Sequence, residues 1–190
     1  FALDSQNLAK PQLAPLPQQT QAAIWSAQIL SRYHYKAQPL DDAMSEKIFD
    51  RYIKSLDREK SFFTQADIDG FAPMRTQLDD AILHQDLSAP FAIFTRYQQR
   101  LAERLSYARE LLKQKPDFTL KEIYAYDREK ASWPKSEDEV RDIWRKRVKN
   151  DWLRLKLAGK DEAAIRATLD KRYENYLNRT AKVKSEDAFQ

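Results

Sequence analysis

Apolar side chains recur every three or four residues through most of this chain, and this spacing constrains its fold more than any other feature. In the segment 40–69, the apolar positions of the first predicted helix lie four residues apart, at Met44, Ile48, Tyr52 and Leu56. Two aspartates place negative charge where that helix begins, and Thr64 with Asp67 forms an acidic variant of the capping box for the next helix. The pattern predicts two capped amphipathic helices joined by a short aromatic turn.

Glycine is nearly absent, with two residues in 190. Because tightly turned sheets need glycine in their turns, this depletion favours an all-α chain. Further helices are predicted from Thr20, Ser88, the capping box Ser136-x-x-Glu139 and Asp161. Together with the segment 40–69, these patterns predict an irregular bundle of about six or seven helices.

One segment departs from the helical spacing. Four apolar or aromatic side chains near 118–126 fit a two-residue period instead: Phe118, Leu120, Tyr124 and Tyr126. This period predicts a short strand or an extended packing arm.

The domain layout follows from proline content and helix signals. Residues 1–19 carry three prolines among Gln, Ala and Leu, which predicts an extended lead-in. Residues 20–190 are expected to form one helical domain, with 116–136 as the place for a hinge between two halves. Ser185-Glu-Asp has the pattern of a new helix start, so we expect the chain to belong to a longer protein.

A search for reactive groups predicts no catalytic residue, metal ligand or cofactor. The chain has no cysteine, and His34 and His84 lack the partners of a metal site. Its two isolated glycines make no phosphate-binding loop. Ser132 and Lys135 match the spacing S-x-x-K of a nucleophilic dyad. However, Pro134 and the helix start that follows predict a loop, which does not bring the amine to the hydroxyl.

Two groups of residues suggest interaction surfaces. The segment 141–156 is rich in Lys and Arg and contains two tryptophans, as a nucleic-acid interface would. The tryptophans fall on the apolar stripe, so a solvated helix face is the favoured interpretation, with docking to another part of the protein as a further alternative. Tyr124, Tyr126 and Trp133 surround a predicted loop, where they either contact a partner or pack into the bundle.

Several motifs occur together in a specific order. They are IFDRYIKSLD at 48–57, DREK at 127–130 with WPK at 133–135, LKLAGK at 155–160 and SEDAF at 185–189. In this order and spacing the chain resembles, from about Pro17 to Gln190, the N-terminal helical domain of the bacterial tail-specific protease. That family is also called the C-terminal processing proteases, and its members are Ser/Lys serine peptidases.

The resemblance implies a periplasmic serine endopeptidase as the parent protein. Such a parent recognises apolar C-terminal tails through a PDZ domain and cleaves with a Ser/Lys dyad, and both modules are expected after Gln190. For this chain the resemblance implies a non-catalytic scaffold, or a platform for substrate or adaptor. Its expected partners are the PDZ and protease domains of the same chain, unfolded or C-terminally tagged proteins, and an adaptor protein, with no nucleic acid and no membrane span. The alternative is a free-standing helical adaptor or nucleic-acid-binding module that uses the basic helix 141–156.

Overall fold

The computed structural model describes residues 42–78, 84, 86 and 88–186, with side chains as far as 179. This part of the chain forms five α-helices and one short 3-10 turn at Ala72–Met74, and it contains no strand. The helices are α1 Asp42–Leu56, α2 Gln65–Phe71, α3 Ser88–Leu111, α4 Glu137–Leu157 and α5 Glu162–Glu186. The all-α prediction is therefore confirmed.

The helix count and two details differ from the prediction. Five helices are fewer than six or seven, and the helix predicted from Thr20 lies outside the described residues. The segment 118–126 is irregular and pairs with no strand in the described part of the chain, so the strand alternative was wrong. Ser185 does not start a new helix, because α5 continues through it to Glu186.

The three long helices pack against one another and form the main core. Helices α3, α4 and α5 are in mutual contact, and the side chains between them are almost completely buried. Large side chains among these are Trp144, Trp152, Leu101, Leu105, Ile165 and Leu169. Both tryptophans of the basic segment are thus core residues, which removes them from any exposed base-stacking surface.

Local signals explain where the helices begin and end. Thr64 and Asp67 form the predicted reciprocal capping box at the start of α2. At α4 the box is only half formed, because Glu139 accepts the N–H of Lys135 at 2.7 Å instead of that of Ser136. After α4 the chain reverses at Gly159, whose φ of +89° favours glycine.

The described helices include none that is both long enough and apolar enough to cross a lipid bilayer.

Candidate interaction surface

The connection between α3 and α4 is an irregular segment that crosses the outer face of α4. Within it, Glu122 bridges two basic side chains of the helix: its carboxylate lies 2.7 Å from Arg145 Nη2 and 3.2 Å from Lys149 Nζ. The Arg145 guanidinium, followed by the Lys149 ammonium, lowers the pKa of Glu122 to about 2. Lys149 Nζ also donates to the carbonyl of Leu120 at 2.9 Å.

The same segment is held on the other side of α4 by an aromatic side chain. Tyr126 Oη donates to Asn150 Oδ1 at 3.0 Å, and the Arg154 guanidinium lies 5.0 Å from the centroid of the Tyr126 ring. Because 100° of rotation separates successive helical residues, Arg145 and Asn150 lie about 140° apart around α4. Residues 118–126 therefore form a strap across the helix, and we use this name below.

The strap is inverted relative to an ordinary surface loop, because its charged side chain faces the protein and its apolar side chains face solvent. Its carboxylate, on Glu122, faces the helix, whereas Ile123 is 87% exposed and Leu120 is 55% exposed. Within the described residues, every large apolar side chain that is exposed lies on the strap or on α4. We call this set the outer strip: Leu120, Ile123, Tyr126, Leu153 and Leu157.

A groove of about 470 Å³ lies beside the strap, between it and the N-terminal half of α4. Ile123, Tyr124 and Ile143 contribute apolar walls, and Asp138 and Lys146 contribute charged ones. Burial raises the pKa of Tyr124 above its ordinary value. The groove can accept a side chain from a binding partner, while its mixed charges give no strong preference for an anion.

The three aromatic residues singled out in the sequence do not form one cluster. Tyr124 and Tyr126 are in edge-to-face contact with centroids 4.8 Å apart, and Tyr126 is exposed. Trp133 instead packs on the core, with its ring centroid 6.3 Å from that of Phe63 and the Lys60 ammonium 5.5 Å away. The tyrosines are therefore placed where a partner could reach them, and Trp133 is placed as a packing residue.

After the strap, the chain docks on the turn that joins α1 and α2. Lys60 Nζ donates to the carbonyls of Glu129 and Ala131, each at 2.6 Å, and its backbone has a φ of 53°. Glu59 accepts the N–H of Arg128 at 2.6 Å. Lys54, within the motif at 48–57, also pairs with Glu129. Two of the motifs that carry the family resemblance, about 70 residues apart in sequence, are thus joined by direct contacts.

The turn that joins α1 and α2 also contains a buried network of hydrogen bonds. The buried Asp57 accepts three backbone N–H groups, from Ser61, Phe62 and Phe63. Burial raises the pKa of Asp57, although the three amides and the nearby Arg104 oppose that shift.

Helices α3 and α4 hold the same turn from the other side. Arg104, only 3% exposed, donates to the carbonyl of Phe62 and forms a two-pronged pair with Glu137. Trp144 Nε1 donates to the carbonyl of Ser61 at 2.7 Å. One turn therefore fixes the relative positions of four helices.

The structure places the S-x-x-K pair in a loop and assembles no metal site within the described residues. Ser132 and Lys135 lie in an irregular loop, as the sequence predicted, and not one turn apart at a helix start. The described part of the chain contains no group of three or more His, Asp or Glu side chains suited to a metal ion. His34 lies outside the described residues.

The sequence pattern did not indicate what the basic residues of α4 do. The sequence favours a solvated face, with docking to another part of the protein as an alternative, and in the structure several of these residues hold the strap, through Glu122, Tyr126 and Phe118. The sequence does contain a signal for the contact beside the strap: the tetrapeptide Asp-Arg-Glu-Lys occurs at 57–60 and again at 127–130. The structure brings these two copies together.

Fold and surface define a helical domain organised around a buried polar turn, with an exposed apolar strip. Comparison with known proteins gives the family: the family described as Tail specific protease N-terminal domain matches residues 26–190. The chain therefore belongs to this family. It is also 42% identical over 162 residues to the tail-specific protease of Haemophilus influenzae (strain ATCC 51907 / DSM 11121 / KW20 / Rd). That match covers 85% of this chain and 23% of the relative, so the chain spans about a quarter of the relative's length.

Proposed function

We propose that this chain is the non-catalytic N-terminal domain of a periplasmic tail-specific serine endopeptidase, which processes or degrades proteins from apolar C-terminal tails. In this role it acts as a scaffold and as a platform for substrate or adaptor, while PDZ and protease domains of the same parent chain supply recognition and cleavage. The observation that carries the proposal is the family match over 26–190. The 42% identical relative is itself named a tail-specific protease.

The contacts of the motifs that carry the family resemblance support a scaffold role. The motifs at 48–57 and 127–135 meet beside the turn 57–65: Lys54 pairs with Glu129, and Lys60, which follows the first motif, donates to the carbonyl of Glu129. Gln65 N–H donates to the carbonyl of Pro134 at 2.7 Å. Such a network sets the shape of a domain, which is what a platform for other domains requires.

The surface of α4 favours this role over nucleic-acid binding. Arg145 and Lys149 are both paired with Glu122, and Lys146 is paired with Asp142 at 3.0 Å. A phosphate backbone would have to compete with these carboxylates for the same cations. Since nucleic-acid affinity depends on free cationic groups that displace counterions, this paired part of α4, from Arg145 to Lys149, is poorly suited to it.

Mixing experiments test the proposal. An unfolded protein with an apolar C-terminus is incubated with this chain, with the remainder of the parent chain, and with both together. We expect no cleavage by this chain alone, and faster cleavage by the mixture than by the remainder alone.

Two results would count against the proposal. Equal rates for the remainder with and without this chain would remove the scaffold role. Cleavage by this chain alone, abolished by Lys135→Ala, would instead make Ser132 and Lys135 a working dyad.

A further inference from the structure

We infer that the outer strip is the surface on which a later part of the parent chain packs, and that its counterpart is an apolar face rimmed by carboxylates. This inference rests on the proposed function, because it takes the chain to be one domain of a longer protein. It goes further by stating which surface is used and what chemistry meets it.

The strap places its charged side chain toward the protein and its apolar side chains toward solvent. A loop that faced only solvent would gain by turning Glu122 outward and Ile123 inward, because apolar surface is stabilised by burial. Here the carboxylate is fixed inward by Arg145 and Lys149, and this contact leaves Ile123 87% exposed. Exposed apolar patches that are held in place in this way mark interaction sites.

Helix α4 continues the outer strip beyond the strap. Leu153 and Leu157 lie one helical turn apart, and Leu157 is 78% exposed. Leu153 is three residues from Asn150, which binds Tyr126. The strap therefore adjoins the exposed leucines of α4 at Tyr126.

The charges beside the strip indicate the chemistry of its counterpart. Three basic residues flank Leu153 and Leu157: Arg154, Lys156 and Lys160. The nearby carboxylates Asp151 and Glu162 are engaged by Tyr173 and Arg166. Arg154 and Lys156 lie over aromatic rings of the strap segment, which leaves their charge without a carboxylate partner among the described contacts. A counterpart with carboxylates at its rim complements this charge and aligns the two surfaces.

The size of the strip and the length of the parent chain favour an occupant from the same chain. Interfaces between free proteins use about 20–30 residues on each side, whereas the outer strip has five large apolar residues. A tethered segment is present at an effective concentration in the millimolar range, so a small surface suffices. The matched region is 23% of the relative, so more than three quarters of such a chain lies outside it.

Hydrogen exchange followed by mass spectrometry tests the inference in the full parent chain and in this 190-residue chain. No backbone N–H of 120–126 donates a hydrogen bond within the described residues, so the strap should exchange fast in the short chain. We expect exchange in 120–126 to slow at least about tenfold in the parent chain, as it does for amides shielded in a stable contact.

Substitutions test whether the outer strip causes the slower hydrogen exchange in 120–126. Ile123→Glu with Leu157→Glu should abolish the slowing in the parent chain, because the added carboxylates meet an apolar face with a carboxylate rim. Ala102→Glu, on the exposed side of α3, is the matched control and should leave the slowing intact. Both variants should unfold at the same temperature as the unsubstituted short chain, since all three positions are exposed.

The results separate this inference from the proposed function. Faster cleavage on mixing, with unchanged exchange in 120–126, would overturn the inference and leave the scaffold role standing. Slower exchange in the parent chain without any effect on cleavage would support the docking surface and remove the scaffold role. Slowing in the short chain that grows with its concentration would assign the strip to a second copy and overturn the inference.

Discussion

Replacing Asp57 by alanine should be among the most damaging single substitutions in this domain. The carboxylate is 2% exposed, and it accepts the N–H groups of Ser61, Phe62 and Phe63 at 2.8, 3.0 and 2.8 Å. Alanine leaves three amides in the core without an acceptor. It also removes the charge that faces the buried Arg104.

The magnitude follows from two opposing contributions. A hydrogen bond to a charged group contributes about 1.5–3 kcal/mol, so three give roughly 4.5–9 kcal/mol before other costs. Burial of the carboxylate opposes this gain, as its raised pKa shows. Breaking a buried charged network by removing one partner typically costs about 3–5 kcal/mol, and we expect a loss in that range for Asp57→Ala.

Urea unfolding of the 190-residue chain, followed by the fluorescence of its tryptophans, measures this loss as a change in the free energy of unfolding. The chain provides a matched control, because Asp127 occupies the same place in the second Asp-Arg-Glu-Lys copy. Asp127 is exposed, and it accepts only the N–H of Glu129 at 3.1 Å. Asp127→Ala should therefore cost less than about 0.5 kcal/mol. Similar losses for the two variants, or a loss below about 1 kcal/mol for Asp57→Ala, would refute the reasoning.

Three further substitutions test other contacts. Because the pKa of Glu122 falls from 4.5 to about 2 on folding, its ion pairs stabilise the strap above about pH 4.5, and this contribution is lost as the pH falls towards 2. Glu122→Gln should remove that pH dependence from protease resistance of the strap. Trp144→Phe should cost about 1–3 kcal/mol in urea unfolding, because the carbonyl of Ser61 loses its donor. Gly159→Ala should cost about 1–2 kcal/mol in the same assay, because φ there is +89°.

The sequence predicted the features that depend on near neighbours. Helix α1 was expected from four apolar residues at steps of four, and all four are buried in the structure. The box at Thr64 was expected for the same reason, since a capping box joins residues three positions apart. These signals are sufficient for the fold class.

The candidate surface depended on contacts between distant residues. Glu122 and Arg145 are 23 positions apart, and only the path of the loop shows that they meet. The two-residue period near 118–126 predicted extended backbone or a strand, yet side-chain contacts with α4 take the place of strand pairing. No local signal in the sequence links the segment 118–126 to the basic helix α4. The contact between the strap and the helix was therefore not predicted.

The two copies of the tetrapeptide Asp-Arg-Glu-Lys have different roles because they lie in different surroundings. In the copy at 57–60 the aspartate is buried and organises a turn, whereas in the copy at 127–130 the aspartate is exposed. Lys60 adopts a positive φ and reaches the carbonyl of Glu129, so the first copy binds the backbone of the second. The burial of the flanking residues decides these roles: Phe62 and Phe63 anchor the first copy in the core, while the second follows the exposed Tyr126. Motifs that identify the family can therefore act by holding the domain together, while the outer strip stays exposed among the described residues.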